Sequence, residues 1–117
     1  MSVEIAKIAV QVSQEKKAEN IHLFDLRGKS DICSYQLVCS GESDRQTRAI
    51  AEGIAELCKQ RLGFTPSYIE GLAEGSWILL DYGAVIVHVF VDASRSQFNL
   101  EKLFIERNAL EVSLASL

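Results

Sequence analysis

Residues 74–90 read EGSWILLDYGAVIVHVF. Two apolar runs, 76–81 and 84–91, flank Tyr82-Gly83, the pattern of a β-hairpin closed by a glycine-containing turn. The second run is apolar almost throughout, and such a strand is covered on both faces, so it belongs in the middle of a sheet with helices packed against it. Three residues are more than a structural hairpin needs. Trp77 is the only tryptophan of the chain, Asp81 interrupts the first run, and His88 stands among valines; each brings a polar group that must find a partner once it leaves water. Alternation puts Trp77, Leu79 and Asp81 on one face of the first arm. Ala84, Ile86, His88 and Phe90 share a face of the second, so a tight hairpin makes Trp77 and His88 neighbours. Two readings follow. In one, Trp77 covers the sheet edge and His88 bonds a backbone carbonyl. In the other, Trp77, Asp81, Tyr82 and His88 form a patch for a partner, since Trp and Tyr dominate interface hot spots where truncation costs about 2 kcal/mol or more.

Upstream of the hairpin, residues 72–75 form a connector to a short strand, SYIEG (67–71), which Pro66 opens. Before it, SGESDRQTRAIAEGIAELCKQRLG (40–63) carries an inward stripe of Ile50, Ile54 and Leu57. Ser43 can cap this helix, Gln46 can reach back in a capping-box pattern and Gly63 stops it, giving a helix over about 44–61. SYQLVCSG (34–41) and IHLFDL (21–26) read as strands separated by the turn-forming RGKSD. At the start, Ile5, Ile8, Ala9 and Val12 recur at helical spacing and predict an amphipathic helix to about residue 18. Downstream, SQFNLEKLFIERNALEVSLASL (96–117) reads as the last helix, with Phe98, Leu103 and Phe104 inward. The order α-β-β-α-β-β-β-α, without repeat or linker, predicts one α/β domain over residues 1–117, a mixed sheet of about five strands flanked by helices.

With 117 residues, 48% of them hydrophobic, the chain is long enough for one core of its own and short for two. A net charge of −4 argues against affinity gained by neutralising phosphates. Arg45 and Arg48 are the best candidates for a minor nucleic-acid contact, and two arginines are a weak signal. Cys33, Cys39 and Cys58 lack C-x-x-C spacing and sit in apolar surroundings, as reduced thiols do. No run approaches the roughly 18 apolar residues of a membrane span, and the amphipathic N-terminus is unlike a signal peptide. The expected location is the cytoplasm, away from membranes.

Enzyme signatures are sparse. CSGESDR (39–45) at a helix start suits either an anion or ordinary capping, and no Gly-rich phosphate-loop motif accompanies it. His22 and His88 lack a second ligand at metal spacing, and no serine nucleophile elbow is present. Pairing Cys39 or Cys58 with His88 as a thiol dyad has no sequence support beyond the presence of both residues. No metal or other cofactor is expected.

Taken together, SGESDRQTRAIAEGI (40–54), EGLAEGSWILLDYGAVIVHVF (70–90) and LEKLF (100–104) resemble the ribosomal silencing factor family, also called Iojap-like proteins, over a core of about residues 20–104. Its Ser-Gly-x-Ser-x-Arg pattern falls on Ser40, Gly41, Ser43 and Arg45. Its Glu-Gly, Trp, Asp-x-Gly and Val-His-Val positions fall on Glu70, Gly71, Trp77, Asp81, Gly83 and His88. Ala84, Phe98 and Phe104 depart from the residues common in the family, which bears on affinity more than on class.

The resemblance implies a fold distantly similar to nucleotidyltransferases and a protein that is no catalyst. It implies docking on the large ribosomal subunit, against a ribosomal protein on the intersubunit face, which blocks joining of the small subunit; related proteins act in ribosome assembly in organelles. It implies a homodimer in the free state. On this reading Trp77 and Tyr82 are apolar anchors, Asp81 and Glu70 accept from a basic partner, His88 orients, and Ser43 and Arg45 complete the interface. The alternatives are a nucleotidyltransferase-like enzyme, which would need a carboxylate pair where the sequence has Asp44-Arg45-Gln46, and a dimeric scaffold without ribosome contact.

Overall fold

A computed structural model of the chain describes residues 1–29, 33–92 and 110–117. In chain order the elements are α1 (Ser2–Glu15), β1 (Glu19–Asp25), β2 (Tyr35–Gly41), α2 (Asp44–Leu62), β3 (Tyr68–Glu70), β4 (Trp77–Asp81), β5 (Val85–Val91), β6 (Leu110–Val112) and a 3-10 turn (Leu114–Ser116). The strands form one mixed sheet in the order β3-β4-β5-β2-β1-β6. β2 and β5 pair in parallel and every other neighbour is antiparallel. The hairpin read from 74–90 is present as β4 and β5, and its apolar second arm lies between β4 and β2 in the sheet interior.

Both described helices pack on one face. Ile5, Ile8, Ala9 and Val12 of α1 join Ile50, Ile54 and Cys58 of α2 over Leu23, Leu37, Ile78, Leu80, Val85, Val87 and Val89. Each fully buried Leu, Ile or Val contributes about 1.5–3 kcal/mol, so this layer is the main source of stability. On the other face Phe24, Val38 and Phe90 form a smaller buried cluster with Trp77 against it.

Local chemistry sets the helix ends. The Ser43 hydroxyl accepts from the Gln46 amide at 3.2 Å, and Gly63, at φ +72°, takes the left-handed C-terminal position that glycine adopts at least cost. Gln46 reaches back one residue farther than a capping box, its Oε1 accepting from the Glu42 amide at 2.7 Å. Its Nε2 donates to the carbonyls of Lys16 and Lys17, both at 3.1 Å, so one side chain closes the end of α1 and the start of α2. α1 stops at Glu15, short of residue 18, because Lys17 enters left-handed backbone at φ 62°.

The described residues hold six strands where about five were expected, and the difference lies at the C-terminus. Residues 110–117, read as part of the last helix, form β6 and a 3-10 turn. β6 pairs with the edge of β1, Leu23 with Val112 and Asp25 with Leu110, and satisfies backbone groups that the edge would leave open. Val112 and Leu114 then reach the main core. Phe98, Leu103 and Phe104 lie outside the described residues.

Candidate functional site

The odd residues of the hairpin meet on the face opposite α1 and α2. Register places Trp77 across from Phe90 and Leu79 across from His88, and the Trp77 and Phe90 rings stack at 4.9 Å. The indole N–H donates to His88 Nδ1 at 3.2 Å. Because an indole can only donate, Nδ1 must accept, which fixes the proton on Nε2; Nε2 then donates to Gln36 Oε1 at 2.7 Å. Gln36 Nε2 in turn donates to Cys33 Sγ at 3.4 Å. Four side chains from three strands and a loop thus form a directed chain of hydrogen bonds that begins at Trp77. Its members are half-buried or buried, and such networks rigidify when fully satisfied.

His88 is 6% exposed. Burial pulls its pKa down to about 4, so it is neutral at physiological pH, in keeping with the acceptor role at Nδ1. Neither sequence reading anticipated this arrangement, in which His88 bonds a side chain from each of two neighbouring strands. Gln36 is the member that sequence reasoning missed. Alternation puts it on the same face as Val38, but only the pairing of β2 beside β5 brings it to His88.

Glu70 stands across from Leu79 in the β3–β4 pairing, and Glu70, Gly71, Trp77 and Leu79 line a hollow of about 210 Å3. Gly71 has φ +78°, and a β-carbon there would collide with the Trp77 carbonyl oxygen. Only glycine lets β3 pass this close to Trp77. Tyr68, 61% exposed, faces Asp81 farther along the same surface.

Asp81 has a structural task that explains its place in an apolar run. Its Oδ1 accepts from the Gly83 amide at 2.7 Å, bracing the turn as Asp side chains do. Tyr82 departs from the expected cluster. It packs against the helix-side core, with its hydroxyl buried and unpartnered; burial and the nearby Cys58 raise its pKa. Residues 81 and 82 point to opposite faces, so the turn separates Tyr82 from Trp77.

Ser43 and Arg45 sit at the start of α2, on the helix layer. That start is tied to the connector before Trp77. Thr47 Oγ1 donates to the Gly75 carbonyl at 2.7 Å, and Arg48 Nη1 to that of Ala73 at 3.2 Å. The helix N-terminus is therefore engaged by its own caps and by the connector, as the capping reading of CSGESDR requires. Among the described residues no group of three or more His, Cys, Asp or Glu could hold a metal ion, and no helix is long and apolar enough to cross a membrane.

The family model described as "Ribosomal silencing factor during starvation" matches residues 1–116. The chain belongs to the ribosomal silencing factor family. A member from Bacillus subtilis is 42% identical over 100 residues, covering 86% of this chain and 84% of that one. A crystal structure of a Chromobacterium violaceum protein superposes with a TM-score of 0.83 at 30% identity, covering 88% of this chain and 85% of that one. More distantly, the mouse protein named "Mitochondrial assembly of ribosomal large subunit protein 1" is 24% identical over 101 residues, 85% of this chain and 44% of that protein. The resemblance read from residues 40–54 and 70–90 is thereby borne out, and within the silencing factor family this chain supplies the mixed sheet and hairpin described above.

Proposed function

We propose that this protein docks on the large ribosomal subunit, against a ribosomal protein on its intersubunit face, and sterically prevents the small subunit from joining. It acts in the cytoplasm as a translational brake, without a catalytic step, and it serves large-subunit assembly in the same way, by occupying that face. The observation that carries the reading is the Trp77 surface, a partly buried aromatic side chain held against His88 and Phe90 and flanked by Glu70 and Asp81. Rigid aromatics surrounded by polar groups are what hot spots use, and carboxylates suit a basic ribosomal protein. Arg45, exposed at the start of α2, supplies a minor contact to ribosomal RNA. In the free state two copies cover the Trp77 surface mutually as a homodimer.

Sedimentation of purified large subunits through sucrose tests this, with wild type and Trp77→Ala compared after circular dichroism has shown that the variant is folded. Wild type should pellet with the subunits and suppress joined particles when small subunits are added, while the folded variant does neither. If wild type stays in the supernatant at micromolar concentration, the docking reading is wrong.

A further inference from the structure

The bond that holds the Trp77 indole depends on a side chain two strands away. An indole N–H only donates and a neutral imidazole carries one proton, so the bond from Trp77 to His88 Nδ1 requires that proton on Nε2. Nε2–H then needs an acceptor, and the Gln36 amide has one end that accepts and one that cannot. Its Oε1 lies 2.7 Å from His88 Nε2, with the amide nitrogen 3.4 Å from Cys33 Sγ. Turning that amide over would set its NH2 against Nε2, move the imidazole proton to Nδ1 and bring N–H against N–H at the indole. The orientation of Gln36 and the seat of Trp77 are therefore coupled. Topology supplies the reach: β2 lies beside β5 with Val38 opposite His88, so Gln36 stands on the same face, one diagonal step away. The imidazole is 6% exposed, which leaves water little access as a substitute acceptor.

We infer that Gln36 is a positioning residue for docking: by holding the proton on His88 Nε2 it fixes the seat of the indole, and so the way Trp77 is presented to a partner. The inference rests on the docking role proposed above and adds to it a residue that belongs to neither arm of the hairpin.

Two substitutions separate this role from packing. Gln36→Leu keeps the bulk and removes the acceptor. Gln36→Glu restores an acceptor at pH 8, while its negative charge favours a second proton on His88 as pH falls. Trp77 is the only tryptophan and His88 one of two histidines, so emission and imidazole NMR signals follow both, with circular dichroism monitoring the fold. Among the described residues the other titratable groups on this face are Cys33, Tyr68, Glu70, Asp81, His22 and Glu111; all are retained in each variant, and Gln36→Glu combined with His88→Asn isolates His88 from them. Between pH 8 and pH 5 wild type should keep a steady emission and His88 signal, since burial holds His88 neutral over that range. Gln36→Leu should show a changed emission throughout. Gln36→Glu should match wild type at pH 8 and lose that emission on acidification, with the His88 midpoint raised by about 1–3 pH units, and the double variant should not titrate. A wild-type emission in Gln36→Leu, a flat profile in Gln36→Glu, or a titration that survives His88→Asn overturns the inference.

Sedimentation with large subunits separates the two readings. Gln36→Leu should bind about fivefold more weakly, the scale of one lost buried hydrogen bond, and Gln36→Glu should bind as wild type does at pH 8 and more weakly than wild type at pH 6. If wild type pellets and neither substitution alters Trp77 or His88, docking stands and the positioning role falls. If the substitutions shift Trp77 and His88 as expected and every variant pellets like wild type, Gln36 seats the indole and Trp77 is not the docking surface.

Discussion

At the scale of single residues, His88 carries the clearest pH dependence. Its folded pKa of about 4 lies below the ordinary value near 6.5, so between those limits the unfolded chain binds the extra proton and the native state loses stability as pH falls. The loss begins near pH 6.5, is complete near pH 4, and amounts to about 3 kcal/mol from this group. Protonation would also place an N–H on Nδ1 facing the indole N–H, breaking the bond that holds Trp77. Urea unfolding at pH 7 and pH 4.5 should show a marked fall for wild type and a smaller one for His88→Gln; parallel falls would mean that His88 does not titrate as described. Gly71→Ala should cost more than about 2 kcal/mol, because the new β-carbon collides with the Trp77 carbonyl at a left-handed φ. A red-shifted Trp77 emission should accompany the lower urea midpoint, and unaltered values of both would refute the close approach.

At the scale of elements, Gln46 and Thr47 couple parts that look independent in sequence. Gln46 serves the Glu42 amide and two carbonyls at the end of α1, so Gln46→Ala should lose about 1–2 kcal/mol in urea unfolding. Ser43→Ala removes the cap from the same turn, and the two changes together should cost less than their sum, since they share one structure. Strict additivity would show that the caps act separately. Thr47→Val keeps the shape while leaving the Gly75 carbonyl without its donor, with an expected loss of about 1–3 kcal/mol. If its stability matched wild type, the tie between α2 and the connector would be dispensable.

At the scale of the molecule, the net charge of −4 and the absence of basic residues from the described strands favour encounter with the basic partner proposed above. Attraction of this kind speeds encounter and is screened over about 8 Å at physiological ionic strength. If the proposed docking through Trp77 holds, association with large subunits should therefore slow as salt rises, while dissociation, governed by that contact, changes little. Stopped-flow measurements across a salt series decide this, and a salt-independent association rate would remove charge steering from the account. The two faces of the sheet divide the labour. One is sealed by α1 and α2 and supplies stability; the other carries the hydrogen-bonded Trp77 surface.

The hairpin, the central place of its second arm, the span of α2 and its Ser43 cap followed from the sequence, because alternation, helical spacing and capping chemistry act over a few neighbouring residues. The nearness of Trp77 and His88 followed too, since a tight hairpin leaves one register. What joined His88 to Gln36, turned Tyr82 toward Cys58, enclosed the hollow with Glu70 and made residues 110–112 a strand was decided only in three dimensions. Each depends on which strand lies beside which, β5 by β2, β4 by β3 and β1 by β6. Pairing between distant segments is chosen by the packing of the whole sheet, and no local pattern encodes it.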